Sequence, residues 1–407
     1  MKNTVVTITG TNFGTDTSKA RVLFNGLQAT VQSLTDTRIT ALVPAKAGSG
    51  PVTVIINAQS VQGPVFTYNF SWVVTTLAGN GHVGSTNGTG SAALFNSPKG
   101  VTVDSQFNVY VADYGNICIR KITPAGVVTT LAGDPAGFPG YGEGNGSAAT
   151  FEAPLSISFD PVDNSLYVAD GPSSGAFNNM VRKIALAGGG AAVTNVTRPE
   201  IGYLDGPLGG ARFLYPDYLT VDAKGNIYVA DEDNYRMRMI SAAGLVSTIA
   251  GNGTLGVADG PALGPTFNRV WGVAIDAQGN IYFTENTNNS IRKLAGGNVT
   301  TLAGGTPGQG LFADGTGNAA KFNAPVGIIT DKDGNIFVAD MRNDCIREIT
   351  PAGVVTTIAG SPGHNALVDG AGSDARFDFP YGITMDNQGT LYVAEFGNHA
   401  IRKITRE

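Results

Sequence analysis

The acidic side chains that could take part in acid–base or metal chemistry recur at one position of a repeated pattern. Each ends a short apolar run: Asp113, Asp170, Asp231, Glu285, Asp340 and Glu395. Each run is followed by a turn with an asparagine: Asn116, Asn179, Asn234, Asn289, Asn343 or Asn398. An arginine then follows: Arg120, Arg182, Arg238, Arg292, Arg347 or Arg402. Because groups that recur in every unit serve the repeat, we interpret the carboxylates as turn caps and the arginines as forks that tie a strand to carboxylates or carbonyls.

The histidines, His82, His364 and His399, are further candidate metal ligands. No two of them have the close spacing of a metal-binding pair, so we predict no metal site and no cofactor. The long loops repeat an acidic residue before a glycine: Asp205, Asp259, Asp314 and Asp369. We expect it to cap a short helical turn. No G-x-S-x-G motif joins a strand to a helix, and we predict no catalytic residue.

The elements that must position these residues repeat along the chain. Phenylalanines mark the repeat, with spacings of 56, 62, 54, 55 and 55 residues: Phe95, Phe151, Phe213, Phe267, Phe322 and Phe377. Each unit contains four short apolar runs separated by turn residues, which we name strands a, b, c and d. In the fifth unit they begin near Gly327, Ile336, Cys345 and Val354. This pattern predicts a four-stranded antiparallel blade of a β-propeller.

The two ends of the repeat region complement each other. The chain ends after strand c of the sixth unit, whereas its first repeat-like run, Val73 to Ala78, is a d strand with no a, b and c before it. We therefore predict a six-bladed β-propeller over residues 73–407, in which the N-terminal strand completes the last blade and removes an exposed edge. Residues 1–70 lack the repeat but also consist of strand-like segments.

Both regions resemble known families. The segments GVTVDSQFNVYVADYGNICIRKI from Gly100 and GVAIDAQGNIYFTENTNNSIRKL from Gly272 resemble NHL repeats. The segments ITGTNFG from Ile8, VLFNG from Val22, VPAKAGSGPVTV from Val43 and FTYNF from Phe66 resemble the IPT/TIG domain. These resemblances imply an all-β chain, with an N-terminal immunoglobulin-like β-sandwich over residues 1–70 before the propeller. They leave the function open, because propellers of this kind include scaffolds, binding proteins, lyases and lactonases.

The mouth of the central channel is the predicted ligand site. The residue just before strand a should project there from each blade: Lys99, Leu155, Asp217, Trp271, Val326 and Tyr381. This ring varies while its flanks repeat, and positions that vary within a repeat lattice are the better functional candidates. Two aromatic rings, a cation and a carboxylate suit a sugar, which stacks its C–H faces and hydrogen-bonds its hydroxyls. The alternative is a channel filled by whichever side chains fit.

Other side chains should reach the same face. Tyr114, Glu232 and Phe396 follow strand b, with Asn286 and Met341 at the same position in other blades, and Tyr218 begins a strand a. The long loops add Phe138, Tyr141, Tyr203 and Tyr215, and the second blade adds an insertion from Gly171 to Phe177. We include Tyr114, Glu232, Tyr218 and Phe396 in the predicted ligand site.

Composition and charge limit the partners. The chain of 407 residues has a formal net charge of −6 and no basic block, so nucleic acid is not an expected partner. Cys118 and Cys345 occupy the same place in repeats that are not neighbours, so we expect no disulfide between them. No apolar run is long enough to span a bilayer. The chain opens inside a strand pattern, so we expect an export signal, and any membrane anchor, to have been removed.

These features favour a secreted or cell-surface binding protein over an enzyme. The leading hypothesis is carbohydrate binding through the channel face. A protein-interaction scaffold that binds a surface protein is the first alternative, and a lyase or lactonase acting at the channel mouth is the second.

Overall fold

The computed structural model describes residues 4–44, 47–67, 71–172, 178–186 and 190–407. Most of the expected second-blade insertion and the end of the FTYNF segment lie outside these residues. The chain divides into two compact units, Met1–Val73 with Thr405–Glu407, and Val74–Ile404.

The first unit is a sandwich of two antiparallel sheets. One sheet orders Val5–Thr9, Arg38–Leu42 and Thr30–Thr35. The other orders Leu27–Gln28, Ala20–Phe24, Gly50–Ile56 and Gln59–Phe66. Alternate residues of both sheets, such as Val22 and Phe24 from one and Ile39 and Ala41 from the other, bury their side chains in a shared core. This is the immunoglobulin-like architecture expected for the segment.

The second unit is a six-bladed propeller whose sheets each run a, b, c, d from the channel outward. Blade 1 contains Val101–Val103, Val109–Asp113, Cys118–Ile122 and Val127–Ala132. Blade 2 contains Pro154–Asp160, Ser165–Asp170, Met180–Ala185 and Ala192–Asn195. Blade 3 contains Pro216–Val221, Ile227–Asp231, Arg236–Ile240 and Leu245–Ala250.

The other three blades follow the same order. Blade 4 contains Val270–Ile275, Ile281–Glu285, Ser290–Ala295 and Asn298–Gly304. Blade 5 contains Pro325–Thr330, Ile336–Asp340, Cys345–Ile349 and Val354–Gly360. Blade 6 contains Pro380–Met385, Leu391–Glu395, Ala400–Arg406 and, as its strand d, Trp72–Ala78. The predicted closure of the ring by the N-terminal strand is therefore confirmed.

Each blade also has a short fifth strand that the sequence pattern did not predict. It is formed by the long loop before strand a and pairs outside strand d: Gly88–Thr89, Gly144–Asn145, Gly206–Pro207, Gly260–Pro261, Gly315–Thr316 and Gly370–Ala371. The helical elements among the described residues are single 3-10 turns: Thr17–Lys19, Gly90–Ala92, Tyr114–Asn116, Gly146–Ala148, Glu232–Asn234, Gly317–Ala319, Met341–Asn343 and Gly372–Asp374. The apolar core lies between blades, as where Phe151 and Leu166 pack with Tyr110 and Ile119.

A buried ion pair ties strands b and c together in every blade. In blade 5, Nη1 of Arg347 lies 2.7 Å from Oδ2 of Asp340, and both side chains are fully buried. The guanidinium also lies 5.0 Å from the centre of the Phe322 ring and donates to the backbone oxygens of Lys321 and Ala313. The repeated arginines thus tie the strands of each blade together, as predicted. The carboxylates are not the predicted turn caps: Asp113, Asp231 and Asp340 make no side-chain capping bond to the backbone of the turn that follows, and they pair with the arginines instead.

The repeated acidic residue of the long loops has a different role from the predicted one. Asp314 does not cap the following 3-10 turn, whose N-cap is Thr316. Its carboxylate instead lies 2.8 Å from Nη2 of Arg347 and accepts hydrogen bonds from the backbone and hydroxyl of Thr357 in strand d. Asp205, Asp259 and Asp369 make the same arginine contact, so the acidic residue extends the ion pair to strand d and the outer loop.

The turn asparagines divide into two roles, and the predicted register was wrong in two blades. Asn178 and Asn288, rather than Asn179 and Asn289, donate to the strand b carboxylate of their blade. The oxygen of Asn289 accepts a hydrogen bond of 2.8 Å from the backbone of Ala324 in the next blade. Asn179 makes the equivalent bond to the next blade. These side chains therefore join neighbouring blades.

A histidine makes the corresponding hydrogen bond between blades 6 and 1, where the propeller closes. Nδ1 of His399 in blade 6 accepts a hydrogen bond of 2.9 Å from the Ser97 backbone of blade 1. Nδ1 must be unprotonated to accept it. Burial lowers the pKa of His399 below 6.5, although Asp378 opposes the shift.

We expect Arg347→Met to lower the free energy of unfolding by about 3–5 kcal/mol, because it leaves the Asp340 carboxylate buried without its partner. Unfolding in guanidinium chloride at neutral pH measures the loss of free energy. The double variant Arg347→Met, Asp340→Asn should recover a large part of it, since the lone charge is gone. A loss below about 1 kcal/mol in the single variant would contradict this account.

We expect the His399 hydrogen bond to lose its contribution to stability as the pH falls from 6.5 toward the lowered pKa of His399, because the unfolded chain takes up the proton first. His399→Asn keeps an acceptor and suits the left-handed backbone at this residue, where φ is 49°. Between pH 7 and pH 5, the free energy of unfolding should fall by about 1 kcal/mol less in the variant than in the natural protein, as measured by unfolding titrations at both pH values. Parallel curves for the two proteins would show that this bond does not contribute.

Candidate ligand-binding site

A cavity of about 230 Å³ opens at the channel mouth. Blades 3 and 4 supply most of its wall: Tyr215, Asp217, Glu232, Asp233, Arg269 and Trp271. Blades 1 and 6 supply Lys99 and Tyr381. The cavity is therefore asymmetric within a symmetric framework.

The ring residues sit slightly differently from the prediction. In blades 2 to 6, strand a begins two residues earlier than expected, so that the ring residue is its second residue. The pairing of strands a and b is irregular at this point, for example between Val270 and Val273 in blade 4. Such a bulge re-aims side chains, and here it falls at Trp271. The equivalent Leu155 and Val326 are buried and do not line the cavity.

The Tyr218 side chain crosses the channel beneath the cavity. A Cβ atom added at Gly272 would lie 2.1 Å from the Val326 oxygen, and one at Gly382 would lie 2.3 Å from the Lys99 oxygen. Strands a of neighbouring blades therefore touch at this level. Tyr218, from the same level of blade 3, is 5% exposed and extends to the backbone amide of Ile383 in blade 6, across the ring. Tyr218 therefore fills the channel below the site instead of lining it, which corrects its predicted role.

Lys99 lies among aromatic rings. Its Nζ is 4.0 Å from the centre of the Tyr114 ring, 5.1 Å from that of Tyr381 and 6.0 Å from that of Phe396. Within the described part of the chain, no oxygen accepts a hydrogen bond from this ammonium group. Burial lowers the pKa of Lys99, and the charges of Asp217 and Glu232 oppose that shift.

Asp217 is the most enclosed polar group of the site. It is 2% exposed, and its Oδ2 atom has no hydrogen-bond donor among the described residues. Burial raises the pKa of this carboxyl to about 6, against the opposing effect of Lys99 and Arg269. A buried acceptor without a partner costs about 1–3 kcal/mol, which a ligand hydroxyl could recover.

Glu232 connects the two sides of the cavity. Its Oε1 lies 3.2 Å from Nη1 of Arg269, and its backbone amide is fixed by the Tyr215 oxygen. Burial and the neighbouring charge of Asp217 raise the pKa of Glu232 to about 8, although the Trp271 indole lies close enough to lower it somewhat. The indole N–H itself has no acceptor in hydrogen-bonding geometry among the described residues. The site thus contains an unused donor as well as an unused acceptor.

Aromatic faces complete the walls. The rings of Trp271 and Tyr381 have centres 5.9 Å apart and planes tilted by 31°. Phe396 follows at 6.3 Å from Tyr381. Apolar faces beside a few convergent polar groups are typical of small-molecule sites.

The structure brings together most of the predicted ligand residues. Five of them line the cavity: Lys99, Asp217, Glu232, Trp271 and Tyr381. The rings of Tyr114 and Phe396 do not line it but lie next to the Lys99 ammonium group. Tyr215, expected in a loop, also lines the cavity, whereas Phe138, Tyr141 and Tyr203 do not.

Sequence reasoning missed Arg269 and Asp233. Arg269 belongs to a second variable column of the lattice, two residues before the ring: Ser97, Ala153, Tyr215, Arg269, Ala324 and Phe379. Five of its six members, all but Ala153, have left-handed backbones. The same comparison between blades that picked out the ring would have found this column.

Two further observations concern metals and membranes. Across the described ranges, no group of three or more His, Cys, Asp or Glu side chains is arranged to hold a metal ion. In the same part of the chain, no helix has the length and hydropathy needed to cross a membrane.

Comparison with known proteins agrees with this architecture. Residues 2–72 match the IPT/TIG domain, and residues 95–122 and 377–404 match the NHL repeat. The chain is an NHL-repeat β-propeller with an N-terminal IPT/TIG domain.

The relatives extend well beyond this chain or share only its fold. The chain is 28% identical over 294 residues to Protein SUPPRESSOR OF QUENCHING 1, chloroplastic, of Arabidopsis thaliana, covering 68% of this chain and 27% of that protein. It is 29% identical over 343 residues to NHL repeat-containing protein 2 of Gallus gallus, covering 81% of this chain and 41% of that protein. An auxiliary nutrient binding protein from Bacteroides ovatus superposes with a TM-score of 0.64 at 19% identity, covering 100% of this chain and 95% of that one.

We expect the contribution of Glu232 to stability to fall as the pH rises from 4.5 to about 8, because folded Glu232 holds its proton where the unfolded chain has released it. Glu232→Gln removes this titration. Across that interval the free energy of unfolding of the variant should increase relative to that of the natural protein, by roughly 2–4 kcal/mol at pH 9. Urea unfolding at several pH values gives the difference, and the repeated carboxylates contribute equally to both curves. A difference that does not change with pH would show that Glu232 titrates normally.

Proposed function

We propose that this chain is a secreted or cell-surface binding protein that takes a carbohydrate into the cavity at the channel mouth. The observation that carries the proposal is the buried, unpartnered Asp217 carboxylate beside the unpartnered indole N–H of Trp271 and the ring-enclosed ammonium of Lys99. Sugar hydroxyls both donate and accept hydrogen bonds, so one molecule can satisfy all three groups.

The aromatic walls support the same ligand class. The partly exposed Trp271 ring, beside Tyr381, gives a sugar ring a surface for its C–H groups, while the polar groups lie on the adjoining wall. The Bacteroides ovatus protein that shares this fold is described as nutrient-binding. We propose a nutrient-binding role and a location outside the cell for this chain as well.

A protein partner is the second candidate, and exposed apolar side chains on the long loops favour it. Val83, Ile201 and Leu255 occupy equivalent loop positions and are 58%, 46% and 56% exposed. Apolar residues repeated around a rim suit a polypeptide surface better than a sugar.

We expect saturable binding when the purified protein is tested against neutral glucans, xylans, mannans and galactans, homogalacturonan and chitosan by affinity electrophoresis and calorimetry. Trp271→Ala, Tyr381→Ala and Asp217→Asn should each weaken binding at least tenfold, about 1.4 kcal/mol. The first two remove an aromatic ring, and the third removes the carboxylate charge and replaces one acceptor oxygen with an amide donor. Thermal unfolding of each variant confirms that it is folded.

The control is Phe138→Ala, which removes an aromatic ring that is 68% exposed on a long loop and does not line the cavity. It should bind as the natural protein does. Failure of every glycan to bind would reject the proposal in favour of a protein partner. Chromatography of the same mixtures detects any cleaved product, which would indicate a lyase acting at the channel mouth.

A further inference from the structure

The depth of the cavity limits how a glycan can enter it. Tyr218 fills the channel directly below, and the strands around it are in backbone contact at Gly272 and Gly382. The volume of about 230 Å³ is below the roughly 300–1,000 Å³ of pockets that hold drug-sized ligands. A chain cannot thread through a closed channel, and a cavity this small holds about one sugar ring. The cavity therefore suits the end of a chain better than a chain that passes through the propeller.

The charges of the cavity limit the ligand in a second way. Arg269 and Lys99 are the cations, and Asp217, Glu232 and Asp233 are the acids. The Arg269 guanidinium lies 3.2 Å from the Glu232 carboxyl and also faces the Asp217 carboxylate. A ligand carboxylate would meet Asp217 and Asp233, and a ligand ammonium would meet Lys99, so either charge faces a like charge at close range. An uncharged ligand avoids both penalties.

Lys99 and Asp217 attract each other without touching. Each affects the titration of the other, yet they do not form an ion pair within 4.0 Å, and neither has another hydrogen-bonding partner in the described residues. Adjacent hydroxyls of a sugar can bridge such a separated pair, one accepting from the ammonium group and the other donating to the carboxylate.

We propose that the channel mouth binds the terminal unit of an uncharged glycan end-on, with adjacent hydroxyls bridging Lys99 and Asp217. This inference rests on the proposed carbohydrate binding and specifies its mode. The glycan chain leaves the cavity toward solvent past Arg269, whose side chain is 53% exposed.

The test is the number of protein molecules bound per glycan chain. The neutral glucans, xylans, mannans and galactans are titrated calorimetrically as oligosaccharides of defined length and as linear polymers of known chain length. End-on binding gives one protein per linear chain at every length, and the affinity levels off once the terminal unit and its neighbour are present. Lys99→Met and Asp217→Asn should each weaken binding to the shortest oligosaccharide at least tenfold, and Phe138→Ala should leave it unchanged.

The outcomes separate the two proposals. A ratio of protein to glycan that rises with chain length would show binding along the chain and overturn the end-on mode, while carbohydrate binding itself stands. Binding to homogalacturonan or chitosan alone would overturn the uncharged ligand. An unchanged affinity in both Lys99→Met and Asp217→Asn would overturn the bridging role of these residues. Absence of binding to every glycan would reject the proposed function and this inference with it.

Discussion

The buried arginine–carboxylate pair of each blade is the interaction on which the rest of the propeller depends. A charged pair removed from water is stable only if its remaining donors and acceptors are satisfied, and each arginine here also reaches backbone oxygens of the long loop. One guanidinium, such as Arg347, therefore positions strand b, strand c and the loop before strand a, while its face covers the Phe322 ring. The requirement to satisfy this group fixes the loop that leads to the channel mouth.

Because the buried arginine–carboxylate pair recurs in every blade, differences between blades are available for binding. The same ring position is Lys99, Asp217 or Trp271 in three blades but buried Leu155 or Val326 in two others. Repetition thus supplies the rigidity, and departures from repetition supply the chemistry. The site lies mainly on blades 3 and 4 for this reason, although the backbone around the channel is close to symmetric.

One side chain changes the geometry of the site from a channel to a pocket. Tyr218 stands at a level where four blades have glycine, and only one such ring fits across the narrow channel. Asp217, its neighbour in the chain, is also enclosed, and burial raises the pKa of that carboxyl. The strength of any hydrogen bond that a ligand makes to Asp217 depends on the same enclosure.

The sequence by itself determined the architecture, because strand periodicity and the recurring phenylalanine, arginine and carboxylate are local or repeated signals. It also singled out Lys99, Asp217, Trp271 and Tyr381, which the structure places around one cavity, since a column that varies within a lattice is visible in one chain. Only the tertiary structure decided which columns converge: it brought in Arg269, placed Tyr218 under the site and assigned Asp314 to an arginine instead of a helical turn. These contacts join residues far apart in sequence, and their distances follow from how blades pack around the channel, which no local pattern encodes.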